Sequence, residues 1–158
     1  MKWITREKIK VDRVACPWLI RNFVDPEADF VFLPLETDWS NIDNGILFDV
    51  PDCELGHNGE DVSFNSILKK YNITDPALVL LGEIVRAADS HPRNPHPAGQ
   101  GLRWLAYGFG KLGLDDGQIL KQEFIVYDAL YRECKARIAN SHARPLSASL
   151  FEVASTVR

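Results

Sequence analysis

The sequence predicts an α+β fold in which a small amino-terminal β-sheet with one short helix packs on a carboxy-terminal layer of about four helices. Two patterns support this prediction. Early in the chain, apolar residues alternate with polar ones, as in half-buried strands, whereas from residue 63 onward they recur every three or four positions, as in helices. With 158 residues, 46% of them hydrophobic, the chain is large enough to bury one core.

Strands are predicted in the amino-terminal half. Residues 2–6 alternate polar with bulky side chains, and residues 29–34 repeat that period in a more apolar form. A third strand is predicted at residues 46–50, where Pro51 ends it, and a short return strand at residues 62–64. These segments together would form one small sheet.

A short helix is predicted between the first two strands. We expect Pro17 in its first turn, where a missing N–H leaves no hydrogen bond unmade. Residues 18–20 and Phe23 supply an apolar face, and Asp25 with the following proline ends the helix.

Four helices are predicted in the carboxy-terminal part. The first covers residues 63–71 and ends at Asn72. The second opens at Pro76, with Asp75 or Thr74 as its cap. Residues 91–101 contain three prolines and two glycines, which predicts a loop that could act as a lid.

Two more helices follow that loop, at residues 102–112 and 116–139. The longer one carries an apolar stripe from Leu120 to Ile138, which indicates a core-facing side. The domain is therefore predicted to span residues 1–140, and residues 141–158 to form a tail or a short docked helix.

Charge and composition exclude several classes of protein. The net charge is −4, from 22 acidic and 18 basic residues without a basic stripe, which argues against direct binding of nucleic acid. No run of eighteen apolar residues and no signal peptide is present, so we expect a cytoplasmic protein away from the membrane. The three cysteines form no C-x-x-C pair and are expected to be reduced thiols.

Several blocks resemble one known family. The segment KVDRVACPWLIRNFVDPEADFVFLP is similar to the opening signature of the carboxy-terminal domain of ChrB-type chromate-resistance proteins. The blocks FDVPDCELGHNGEDVSF, EIVRAAD, GLRWLAYG and VYDALYREC resemble its later motifs in the same order. The resemblance implies a domain of regulators of chromate-resistance operons, here expected as a stand-alone copy without a DNA-reading part.

A metal site is predicted around His57. His57 and Glu54 lie three residues apart in a glycine-containing acidic segment, where a turn would let the two side chains converge. Further ligands are expected from Glu83 and Asp128, which lie beside apolar stripes of predicted helices. Imidazole with carboxylates suits iron, manganese or zinc. The competing interpretation is that these are ordinary surface charges, with Arg86 forming an intrahelical ion pair with Glu83.

An anion site is predicted around Cys16, at the expected amino-terminal end of the first helix. Free N–H groups there favour a negative charge, and Arg13 and Arg21 flank the thiol. A small oxyanion such as chromate would fit such a site, and a thiolate could reduce it. The alternative is that Cys16 is a small buried residue beside Trp18.

Three functions remain open from the sequence. The first is a chromate-response or resistance domain that binds a metal ion or oxyanion as a sensor or in detoxification. The second is a metal- or thiol-dependent redox enzyme acting on chromate or reactive oxygen species. The third is a regulatory interaction module without catalysis, whose partner protein carries a DNA-binding domain. The sequence leaves open whether substrate is turned over and whether the chain forms a homodimer.

Overall fold

The computed structural model describes residues 1–143, and its amino-terminal part is a parallel sheet of three strands. The strands are β1 (Lys2–Arg6), β2 (Asp29–Leu33) and β3 (Ile46–Leu47), in the order β2-β1-β3. Both neighbours run parallel to β1, with Ile4 opposite Val31 and Leu47. Parallel neighbours need a crossover connection, which the helix between β1 and β2 supplies.

That helix, α1, covers Val11–Phe23, and it is longer than the sequence predicts. The expectation of Pro17 in the first turn is wrong, because six helical residues precede it. The backbone N–H groups of Lys8 and Ile9 donate to the carboxylate of Asp116, at 2.8 and 3.0 Å, and so fix the chain just before the helix. This long-range contact is not encoded in the local pattern from which the helix start was predicted.

The third strand is shorter than predicted, and the return strand at residues 62–64 does not exist. Only Ile46–Leu47 pair in the sheet, after which Phe48 makes an isolated bridge to Leu55. Ser63 already begins a helix, so the prediction of a strand there is wrong. The alternation of a few residues cannot distinguish a strand from an extended approach to a helix.

Four helices follow, as predicted: α2 (Ser63–Lys70), α3 (Pro76–Asp89), α4 (Ala98–Phe109) and α5 (Asp116–His142). The start of α3 confirms the predicted cap, since the Asp75 carboxylate accepts the N–H of Ala77 at 2.8 Å.

Helix α4 begins four residues earlier than expected, inside the proline- and glycine-rich segment. The loop between α3 and α4 is therefore reduced to residues 90–97. Gly99 accounts for this start, because a Cβ placed there would lie 2.5 Å from the Cβ of Ala87. Only glycine lets α4 approach α3 this closely.

The core joins the sheet to the helical layer. The largest fully buried side chains are Trp3, Trp18, Phe48, Phe64 and Tyr127. Tyr127, from the predicted stripe of α5, donates to the carbonyl of Val11 in α1 at 3.1 Å. This arrangement confirms the predicted α+β class, with a small amino-terminal sheet and a helical carboxy-terminal part.

None of the described helices is long and apolar enough to span a membrane. The predicted tail is described only to residue 143, and residues 144–158 lie outside the described part.

Candidate functional site

A single imidazole nitrogen lies among three carboxylates at the junction of the sheet and the helices. The Nε2 atom of His57 is 3.3 Å from Asp49 Oδ1, 3.3 Å from Asp89 Oδ2 and 3.5 Å from Asp12 Oδ2. We call these four residues the His57 cluster. Within the described residues, the ligand atoms of Asp12, His57 and Asp89 all lie within 4.8 Å of one another, and Asp49 is not part of that set.

The loop between β3 and α2 positions His57. Its two ends are tied back, because Asp49 N–H donates to the Leu55 carbonyl at 3.1 Å and Asn58 exchanges backbone hydrogen bonds with Asp61. Gly59 has a φ of +64°, a left-handed conformation that glycine adopts without a steric penalty. The sequence predicts a turn here that lets Glu54 and His57 converge. The turn is present, but Glu54 pairs with Lys70 and not with His57.

Asp12 lies in the first turn of α1 and is almost fully buried. Its carboxylate accepts the N–H of Ser63 at 2.6 Å and the N–H of Phe64 at 3.1 Å, so it caps the amino terminus of α2. Burial raises its pKa to about 6, because a carboxylate away from water is less easily ionised, even though the hydrogen bond with His57 opposes the shift.

Asp49 is the member of the cluster that pairs with arginines. Its carboxylate accepts Arg13 Nη1 at 3.0 Å and the Ser63 hydroxyl at 2.9 Å, and Arg6 Nη2 lies 3.5 Å away. Burial acts to raise the pKa of Asp49, but hydrogen bonding with His57 and the charge of Arg13 together lower it below its ordinary value. Asp49 is therefore a carboxylate already satisfied by the protein.

His57 and Asp89 are the more accessible members, with side chains 46% and 22% exposed. The pKa of His57 is raised to about 12 by hydrogen bonds with Asp12, then Asp49 and Asp89, against an opposing effect of burial. In the absence of a metal ion, the imidazolium is therefore a positive charge that the three carboxylates share, in addition to the guanidinium groups of Arg6 and Arg13 at Asp49.

A cavity of about 530 Å³ opens beside the cluster. His57 and Asp49 form one side of it, and Arg6, Cys53 and Asn58 line the remainder. The guanidinium of Arg6 uses its Nε to donate to the Asp49 carbonyl at 3.2 Å. A small molecule in this cavity would meet both the His57 ring and a guanidinium group.

The structure does not bring together the four metal ligands predicted from the sequence. Glu54 is exposed and pairs with Lys70 at 2.5 Å, and Glu83 pairs with Arg86, as in the competing interpretation. Asp128 accepts the indole N–H of Trp18 at 2.8 Å. Of the predicted set, only His57 belongs to the cluster.

The sequence reasoning missed the carboxylates that do meet His57. Asp12 lies in the first block of the family resemblance, and Asp89 ends the block EIVRAAD, so both were visible as members of those motifs. Nothing in local spacing links residues 12, 57 and 89, because their proximity depends on how α1 and α3 pack.

The predicted anion site has a different environment from the one expected. Cys16 is the sixth residue of α1, so its predicted place at the helix start is wrong. Its side chain is buried, and burial raises the pKa of the thiol well above its ordinary value, which favours the uncharged form. Arg13 is bound to Asp49, whereas Arg21 donates to the Ala28 carbonyl at 2.8 Å and stacks over Phe30.

Comparisons with known proteins agree with the motif resemblance. Residues 3–134 match the family model described as ChrB, C-terminal domain. The chain is 33% identical over 131 residues to Protein ChrB of Cupriavidus metallidurans, an alignment that covers 82% of this chain. It spans only 40% of the length of that relative. No solved structure matches the chain.

Proposed function

Because this chain belongs to the family of ChrB carboxy-terminal domains, we propose that it acts in the response to chromate by binding a divalent transition-metal ion at Asp12, His57 and Asp89. The membership supports the link to chromate resistance, and the geometry of the His57 cluster supports the metal ion. The two parts of the proposal can be tested separately.

The observation that carries the metal site is the convergence of three carboxylates on one ring nitrogen. A nitrogen with one N–H can direct a hydrogen bond to only one acceptor well, yet three oxygens lie 3.3–3.5 Å from Nε2 of His57. Charge-assisted hydrogen bonds are usually shorter, about 2.7–2.9 Å. Ligands placed tetrahedrally at about 2.1 Å from a zinc ion are about 3.4 Å apart. This agrees with the distances of 3.5 and 3.3 Å from His57 Nε2 to the oxygens of Asp12 and Asp89.

The chemistry of the donors narrows the choice of ion. One imidazole and two carboxylates without a thiolate suit iron, manganese or zinc better than copper(I), which prefers sulfur. Asp49 is more suited to hold the ring and the neighbouring arginines than to ligate, because Arg13 already pairs with its negative charge. Asp12 accepts uncharged backbone N–H groups beside His57, so its charge is still available to a cation. Three protein ligands leave positions free for water or an exogenous ligand, as in metal sites that exchange ligands.

The cavity next to the cluster supports a role in recognising a small anion. A molecule in it would approach the ion from the side of His57 and would meet the guanidinium of Arg6. Arg6 lines this cavity and Arg21 does not, so Arg6 is the better candidate for contact with an oxyanion, although its guanidinium also donates to Asp49. We propose that chromate, as a tetrahedral dianion, is recognised at this cavity.

Metal analysis of the purified protein tests the site. Metal-stripped protein titrated with Zn²⁺, Mn²⁺ or Fe²⁺ should bind one ion per chain. His57→Ala and Asp89→Asn each remove a proposed ligand, so each should weaken binding by at least the roughly 10- to 100-fold that is typical for the loss of an outer-shell partner. His91→Ala and Glu54→Gln are matched controls, because both side chains are exposed and outside the cluster. Failure of the parent to take up any of these ions, or tight binding by His57→Ala, would refute the metal site.

Chromate recognition needs its own measurement. Isothermal titration of the metal-loaded protein with chromate should give a binding heat, and sulfate should bind more weakly. Arg6→Gln should lower the affinity for chromate. If the parent protein binds the metal ion but gives no binding heat with chromate, the proposed oxyanion role is refuted and the proposed metal site is not affected.

A further inference from the structure

Helix α4 exposes an apolar surface that no other described element covers. Trp104, Leu105 and Leu112 are 69%, 49% and 61% exposed, and Ile125 on the neighbouring α5 is 67% exposed. These four side chains together expose an apolar surface on the order of 500 Å². The largest apolar patch on a typical monomer covers about 300–600 Å² and is often functional. One side of a standard interface buries about 800 Å² of apolar and polar surface together.

The surface contains depressions as well as projections. A groove of about 610 Å³ lies between α4 and α5, with Leu105, Ile125 and Leu130 among its walls. A second depression of about 460 Å³ lies along α4 beneath Trp104. Leu105 belongs to both and separates them. We call this surface, from Gly101 to Leu112 with Ile125, the α4 face.

Two glycines of the α4 face have no packing explanation among residues 1–143. A Cβ placed at Gly101 or Gly108 would meet no atom of the described residues within 4 Å, and neither residue has a positive φ. Glycine inside a helix is destabilising relative to alanine. The two lie seven residues apart on the same side as Trp104 and Leu105, where the absence of side chains lets a second helix approach closely.

The charges around α4 favour another uncharged surface as the partner. Arg103 is the one charged residue in the sequence of α4, and its guanidinium donates to the carbonyls of Ala87, Ala88 and Ser90 at the end of α3. The face includes the exposed Lys111 near its end, and Glu133, which pairs with Arg137, borders its groove. Its centre at Trp104 and Leu105 therefore carries no charge that would repel the centre of an identical face.

We infer that the α4 face binds the α4 face of a second copy of this chain across a two-fold axis. In a two-fold dimer the same patch of both copies must be complementary to itself, so it needs both protruding side chains and a groove that receives them. On the α4 face, Trp104 and Leu105 lie beside such a groove. The glycines at 101 and 108 would let the two helices cross at short distance. The dimer uses no residue of the His57 cluster and does not depend on the metal site.

Measurement of molecular mass tests this interface. Analytical ultracentrifugation of the full chain between about 1 and 100 µM should show a reversible dimer. Trp104→Glu should shift the protein to the monomer, with a dissociation constant at least about tenfold higher. Val79→Glu is the matched control, because Val79 is also an exposed apolar residue, 46% exposed, on α3, and it should dimerise like the parent.

A second variant separates dimerisation from folding. Gly108→Leu should raise the melting temperature of the monomer by about 2–4 °C through better helix propensity, yet weaken the dimer by filling the close approach. His57→Ala should leave the dimer intact, so failure of the metal proposal would not affect this one. A monomeric parent, an unchanged dissociation constant in Trp104→Glu and Gly108→Leu, or a monomer that instead sediments with anionic lipid vesicles would each overturn the inference.

Discussion

Asp12 caps a helix that starts 51 residues later in the chain, because its carboxylate accepts the N–H of Ser63 at 2.6 Å. The same carboxylate lies 3.5 Å from His57 Nε2. One buried acid thus fixes the amino terminus of α2 and forms one wall of the candidate metal site. The geometry of the site and the stability of the fold are therefore linked through this residue.

Replacement of Asp12 should destabilise the fold more than replacement of an ordinary acid. Asp12→Ala leaves the N–H groups of Ser63 and Phe64 buried without an acceptor, and we expect a loss of about 2–4 kcal/mol in the free energy of unfolding. Urea denaturation measures this loss. Asp43→Ala, at an exposed position, should change stability by less than about 0.5 kcal/mol. Equal effects of the two substitutions would contradict the capping role.

Removal of the imidazole should destabilise the metal-free protein in a pH-dependent way. His57→Ala leaves Asp12, Asp49 and Asp89 without their shared counter-charge, which we expect to cost about 1–2 kcal/mol. The folded pKa of His57 is about 12 and its ordinary value is 6.5, so its contribution is full below pH 6.5 and declines as the pH rises toward 12. Below pH 6, protonation of Asp12 reduces it as well.

Urea denaturation with a chelator, at several pH values, measures that profile. The difference between the parent and His57→Ala should be largest near pH 6 and smaller at pH 9. A difference that grows steadily between those two values would rule out the imidazolium as the counter-charge of the cluster.

Glu123 should make the protein less stable as the pH rises. Its side chain in α5 is buried and both carboxylate oxygens lack a hydrogen-bond partner among the described residues. Burial raises its pKa from 4.5 to about 7. Because the folded state holds the proton more tightly, this acid begins to reduce stability above pH 4.5 and has its full effect above pH 7.

The variant Glu123→Gln should therefore be more stable than the parent at pH 8, by roughly 2 kcal/mol, and nearly equal to it at pH 4.5. Thermal unfolding at the two pH values measures this, and Glu36→Gln, at an exposed position, serves as the control. An equal gain at both pH values would point to packing instead of ionisation.

The three thiols should differ in reactivity. Cys16 and Cys134 are buried, whereas Cys53 is partly exposed and lines the cavity beside His57. Labelling of the native protein with a thiol reagent should therefore modify one residue quickly, and Cys53→Ser should abolish that fast phase. Fast modification of Cys16 would show that its thiol is accessible and reactive, as the sequence-based prediction of an anion site requires. Complete labelling in denaturant shows that all three thiols are free to react.

Several elements of the fold could be predicted from the sequence because their causes are local. The cap of Asp75 on α3 and the apolar stripe of α5 depend on residues a few positions apart, and both predictions agree with the structure. The predicted start of α1 is wrong. The N–H groups of Lys8 and Ile9, just before the helix, donate to the carboxylate of Asp116, and local sequence gives no sign of a contact with a residue so far along the chain.

The sequence alone determined the family, the α+β class and the periodicity of the long helices. Tertiary structure alone decided which acids meet His57, because Asp12, Asp49 and Asp89 come from α1, from the loop after β3 and from the end of α3. Local spacing reports only neighbours along the chain. The electrostatic environment of His57 arises from helices that pack together. Burial at that junction raises the pKa of Asp12, whereas the pKa of Asp49 is lowered against burial by hydrogen bonding with His57 and by the charge of Arg13.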